Sequence, residues 1–133
     1  MKKWKLYSIN LPSEYNQKER NIIFPPEKTS GWAISDYLRP QWEITLGSSK
    51  KLLDPLLQKL KSIDFFWHDI LHTYEHMMFE FQTSWNFLRS GGGVLLSDDI
   101  ATINEKGCSP LVDFADMKNK EIIVYNMVGG FKK

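Results

Sequence analysis

The residues of this chain with the most chemistry in them are His68, Asp69, His72, Glu75 and His76, crowded behind an apolar run, followed later by the pair Asp98-Asp99. Imidazoles exchange protons near neutral pH. Carboxylates polarise an imidazole or hold a hard cation. Two site chemistries follow. If the strands leading into Asp69 and into Asp98-Asp99 are neighbours, then Asp69, Asp98 and Asp99 converge on one crevice. Three carboxylates repel one another unless a cation neutralises them. Oxygen donors suit Mg²⁺ or a similar divalent ion, which would orient and polarise a substrate hydroxyl. The plainer reading makes Asp98 or Asp99 a cap of the next segment, and Asp69 the cap of a helix beginning near His72.

The second chemistry is zinc. His72, Glu75 and His76 spell H-x-x-E-H, the inverted zinc-protease pattern, with two imidazole ligands and a general base. It requires both histidines well inside a helix, and a further acidic ligand that nothing in the sequence selects. A surface or capping role for His76 competes with it. Gly91-Gly92-Gly93 is not a phosphate cradle, because it precedes a strand instead of following one into a helix. Tyr74 and the Met77-Met78 pair suit a core or a pocket wall. Cys108 has no histidine near it in sequence to make it a nucleophile.

These residues need elements to hold them. Trp4 to Ile9 and Trp42 to Leu46 read as strands, from their aromatic and β-branched content and the Pro12 and Gly47 that follow. Residues 13–31 form a long polar loop. Ser48 or Ser49 caps a helix over Lys50 to Lys61, whose Leu52, Leu53, Leu56, Leu57 and Leu60 share a face. Pro55 delays or kinks it. Ile63 to Trp67 is apolar on both parities, as in a strand covered on both faces. A helix over His72 to Leu88 buries Met77, Met78, Phe81, Trp85 and Leu88. Val94 to Ser97 is the next strand, Leu111 to Met117 a short helix, and Glu121 to Asn126 a fifth strand. Gly129-Gly130 opens the stub of a sixth. Strands alternating with helices predict an α/β fold with a mostly parallel sheet. Ligands in such folds bind beyond the carboxyl ends of the strands, where Asp69 and Asp98-Asp99 lie.

With 133 residues, 42% hydrophobic and 25% charged, the chain is long enough for one domain with a core. A formal charge of +1 gives no basic footprint for nucleic acid or an anionic membrane. No apolar run approaches the ~20 residues of a membrane span. The single cysteine excludes an intrachain disulfide and fits a reducing compartment, the cytoplasm.

The segment FFWHDILHTYEHMMFEFQTSWNFLRSGGGVLLSDDI resembles the second half of class I S-adenosylmethionine-dependent methyltransferases, in particular the cephalosporin-hydroxylase-like and sugar O-methyltransferase-like group. The likeness rests on His68-Asp69, on His72-Thr73-Tyr74-Glu75, on Leu88-Arg89-Ser90-Gly91-Gly92, and on Asp98-Asp99. LYSINLP and WEITLGSSKKLL resemble the family's second strand and its third strand with the following helix. The resemblance implies a single Rossmann-like domain over 1–133 with flanking helices, incomplete at its N-terminal end. It implies transfer of a methyl group from S-adenosylmethionine to a small-molecule or sugar hydroxyl. Asp69, Asp98 and Asp99 would hold a divalent ion, and His72 and Asp69 would serve catalysis. Asn10, Ser48, Ser49 and Asp69 fall at the cofactor-binding positions.

The departures shape a second expectation. The family's first strand and glycine-rich loop should precede Trp4, and Asn10 and Ser48-Ser49 stand where acids usually bind the cofactor. That strand is central in the family, so its neighbours would expose unpaired backbone. Either the two halves close up, or a second copy or partner chain covers the gap, or the chain is a truncated product. The alternative to an enzyme is thus an inactive methyltransferase-like domain, serving as an interaction module or without a role.

Overall fold

The computed structural model describes residues 4–12, 25, 27–100, 107 and 109–133. Most of the expected long loop over 13–31, and Cys108, lie outside them. The chain divides into two compact units, Met1–Leu52 and Leu53–Lys133.

In the first unit β1 (Leu6–Asn10) and β2 (Trp42–Leu46) pair in parallel, with Leu6 opposite Trp42 and Asn10 opposite Leu46. Trp42 Nε1 donates to Ser8 Oγ at 3.0 Å, fixing the indole across the pair. A 3₁₀ turn, Arg39–Gln41, carries Pro40 near its start and leads straight into β2. On the exposed side Lys5 Nζ donates to Glu43 Oε2 at 3.0 Å, and that bond holds the lysine protonated above its usual range. None of the fully buried apolar side chains among the described residues belongs to this unit. Two strands alone are marginal in water, so the apolar core that stabilises the fold lies in the second unit.

Helix α1 (Ser49–Leu60) crosses the boundary between the units. Its leucine face is as the spacing predicts, with Leu53 and Leu57 buried. Pro55 sits inside the helix without ending it. Lys61, with φ of 66°, closes it in the left-handed region.

The second unit contains β3 (Phe65–His68), α2 (Tyr74–Trp85), β4 (Val94–Ser97), α3 (Pro110–Met117), β5 (Ile123–Tyr125) and β6 (Val128–Lys132). The expected α/β, Rossmann-like architecture is present, as small and incomplete sheets. Strand order in this one is β3-β4-β6-β5. β3 and β4 are parallel, while β6 is antiparallel to both β4 and β5. The expected stub is therefore a full strand at an interior position. Among the described strands one pair in each unit is parallel, and Ile63 and Leu88 form a further parallel bridge.

One row of the sheet, Phe66, Leu95 and Phe131, anchors the core. Met77 and Phe81 of α2 and Leu111, Phe114 and Ala115 of α3 close over it. The rings of Phe81 and Phe114 lie 5.8 Å apart, and Trp85 meets Phe114 edge-on at 5.7 Å. Such aromatic contacts contribute beyond the area they bury. Tyr74 Oη donates to Asp113 Oδ2 at 2.7 Å, tying the start of α2 to α3. Lys133 Nζ donates to the Trp85 carbonyl at 2.7 Å, a cation on the free carbonyls at the end of α2. Phe65 and Trp67 have the opposite parity on β3 and are 49% and 44% exposed, so the apolar run is not covered on both faces here.

β6 passes close to β4 only because Gly130 has no side chain. A Cβ there would fall on the Leu95 carbonyl oxygen and within 2.7 Å of a Leu96 methyl. Gly130→Ala is expected to lower stability by about 1–3 kcal/mol, read as a lower denaturation midpoint. Among the described residues no helix is long and apolar enough to cross a membrane.

Candidate active site

The site forms where β3 and β4 end level with each other. His68 is opposite Ser97 in the parallel register, and the Asp98 N–H donates to the His68 carbonyl at 2.9 Å. Asp69 and Asp98-Asp99 therefore leave the sheet at the same end. Between β3 and α2 runs the loop 69–73, which carries His72. Thr73 is the N-cap of α2 and Ser109 that of α3, so neither Asp69 nor the Asp98-Asp99 pair caps these helices.

His72 is half-buried, and its Nδ1 lies 3.9 Å from Asp99 Oδ2. That is too long for a hydrogen bond, so the two groups are neighbours without being bonded. Asp99 adopts φ of 49°, a left-handed conformation that Asp tolerates better than most residues. Asp98 is half-buried and Asp69 is exposed. Among the described residues no three His, Cys, Asp or Glu side chains lie close enough together to hold a metal ion. Asp69, Asp98 and Asp99 share one end of the sheet without forming a ligand set. The H-x-x-E-H spelling also dissolves: His72 precedes the helix, Glu75 is exposed, and His76 is buried in the first turn.

A second cluster lies beneath the loop. His68 is fully buried, and Glu80 and His76 are 3% and 6% exposed. His68 Nδ1 and Glu80 Oε2 are 2.7 Å apart, and His76 Nε2 and Glu80 Oε1 are 3.0 Å apart. One carboxyl group thus lies within hydrogen-bond reach of two imidazoles, pairing polar groups that would otherwise be costly to bury. The His68 ring stands edge-on to His72 at 5.4 Å and to Phe81 at 5.7 Å. Sequence reading missed Glu80. Its spacing of four from His76 was available as a helical pair, whereas its partnership with His68 depends on how α2 folds back on β3.

The positions expected to bind the cofactor divide between the units. Asn10 ends β1, and its carbonyl accepts from the Gly47 N–H at 2.8 Å, beside the turn that leads to Ser48 and Ser49. The Ser48 carbonyl accepts the first amides of α1, and Ser49 is buried. Backbone pairing thus gathers Asn10, Ser48 and Ser49 at the carboxyl ends of β1 and β2. Asp69, His72 and the Asp98-Asp99 pair belong to the second unit.

A search of curated proteins returns no match to the chain. The model of a family described as a methyltransferase domain matches residues 4–100, from β1 through the strand ends that carry His72, Asp69 and Asp98-Asp99, and the chain belongs to that family.

Proposed function

We propose that this domain transfers a methyl group from S-adenosylmethionine to a hydroxyl of a small molecule or sugar, with His72 as the proton acceptor. The observation that supports this most is the meeting of His72 with Asp99, which comes from the loop after the neighbouring strand. S-Adenosylmethionine, the general cofactor of the family, supplies when bound an electrophilic methyl group on a positively charged sulfur. Asn10, Ser48 and Ser49 would hold its ribose by neutral hydrogen bonds, which are weaker than those made by an acid. His72 removes the proton of the acceptor hydroxyl, and Asp99 stabilises the imidazolium that results. The reading gives a divalent ion no part, because Asp69, Asp98 and Asp99 do not form a ligand set.

A second reading, an inactive domain that docks a partner chain or another copy of itself, is favoured by β3. Among the described residues the ladder partner of β3 is β4, on one side, and Phe65 and Trp67 remain half exposed on one face of this edge strand. Edges of that kind invite strand addition. Calorimetric titration with S-adenosylmethionine and its demethylated product, with and without Mg²⁺, separates the readings. The transferase reading expects a Kd well below ~1 mM, a binding free energy beyond about 4 kcal/mol. Absence of binding sinks it. Tighter binding with Mg²⁺ that Asp98→Asn abolishes would establish the aspartates as a metal site.

A further inference from the structure

The transferase reading leaves one buried polar cluster unused: His68, Glu80 and His76. We propose that Glu80 is a positioning residue, which clamps both ends of the His72 loop and fixes His68 as its Nδ1–H tautomer. The effect on turnover rests on the transferase reading; the clamp does not.

The loop 69–73 starts just after His68, the last residue of β3, and ends at α2, whose first turn contains His76. Glu80 reaches both boundaries with one carboxylate, at 2.7 Å to His68 and 3.0 Å to His76. The three side chains are almost wholly buried, so water does not compete for these bonds. With Glu80 ionised its oxygens only accept, which puts the hydrogen on His68 Nδ1. In an imidazole the two nitrogens point to different sides of the ring. With Nδ1 turned to Glu80, His68 Nε2 faces away from it, buried and without a hydrogen-bond partner among the described residues. The His68 ring packs perpendicular to that of His72, whose own Nε2 is likewise buried and unpartnered. His72 is thus held from below by a ring that Glu80 orients. Neither Glu80 nor His68 need touch substrate for this to matter, since displacing a catalytic group by about 1 Å can cost on the order of 100-fold in rate.

Glu80→Gln tests the clamp with almost no change in volume. A glutamine side chain offers one acceptor oxygen and one donor nitrogen, so it cannot accept from both histidines in their present tautomers. Imidazole ¹⁵N signals of the wild-type chain should show His68 protonated at Nδ1 and bare at Nε2. In Glu80→Gln either His68 or His76 should change tautomer, and the His72 ring signals should move. The kcat for methyl transfer should fall roughly 10- to 100-fold with KM for S-adenosylmethionine unchanged. A wild-type His68 protonated at Nε2 overturns the proposal even if the variant fails to fold. So does a folded Glu80→Gln with all three histidine signals unchanged. A wild-type chain without transferase activity removes the function but not the clamp, which the imidazole signals decide alone.

Discussion

His72→Gln is expected to reduce kcat for methyl transfer by roughly 10²- to 10⁴-fold, the range in which a positioned general base contributes. Binding of S-adenosylmethionine should be unchanged, because the residues proposed to hold its ribose, Asn10, Ser48 and Ser49, are untouched. The argument begins with place: His72 lies outside α2, on the loop that leaves the carboxyl end of β3. It continues with exposure, since the His72 side chain is 25% accessible while that of His68 is fully buried. Of the two, only the His72 side chain reaches the surface, and because its Nε2 is buried, Nδ1 on the Asp99 side is the nitrogen that an acceptor hydroxyl can meet. Glutamine preserves polarity and approximate size but cannot take up a proton. Formation of the demethylated cofactor under saturating conditions, compared with wild type, is the measurement. Turnover within a factor of about two of wild type would remove His72 from the chemistry. Asp99→Asn should act in the same direction with a smaller loss, because the carboxylate lies 3.9 Å from His72 Nδ1, beside it but beyond hydrogen-bond reach.

Phe81→Ala should be the most destabilising single truncation in the second unit, at about 3–5 kcal/mol. The ring is wholly buried and meets Phe114 on one side and His68 on another. Its removal leaves a cavity that cannot simply close, since the sheet row of Phe66, Leu95 and Phe131 fixes one wall. Domains of this size have a total stability of only about 5–15 kcal/mol, so the variant should be largely unfolded at modest urea concentrations. Equilibrium denaturation followed by tryptophan fluorescence would read this. Phe65→Ala serves as the comparison: the same truncation at a half-exposed position should cost well under half as much. Phe81 also supports the His68 ring, so the loss should reach the site as well as the core.

How much of this was legible in the sequence varies from element to element. Trp42–Leu46 and Val94–Ser97 stand where the patterning puts them, because a short β-branched and apolar run between turn residues has few alternatives. The leucine face of α1 follows from spacing alone. The polar tips at His68-Asp69 and Asp98-Asp99 are legible, and they do emerge together at one end of the sheet. Helix α2 begins at Tyr74, two residues beyond the expected start at His72, and so His72 sits on a loop. A polar stretch that precedes a helix has no periodicity with which to mark the boundary. Phe65, Phe66 and Trp67 are all apolar, so the sequence cannot tell which parity faces the helices; packing against Met77 and Phe81 selects Phe66 and His68.

The sequence by itself determined the α/β class, the family likeness and the chemical character of the strand ends. Those depend on residue type and on spacings of a few positions. Only the tertiary structure decided that β6 lies between β4 and β5, that His72 meets Asp99 instead of Asp69, and that Glu80 joins His68 to His76. Each is a contact between segments distant in sequence, set by how helices close over a sheet, and no local pattern of residues encodes which side chains will face each other across that interface.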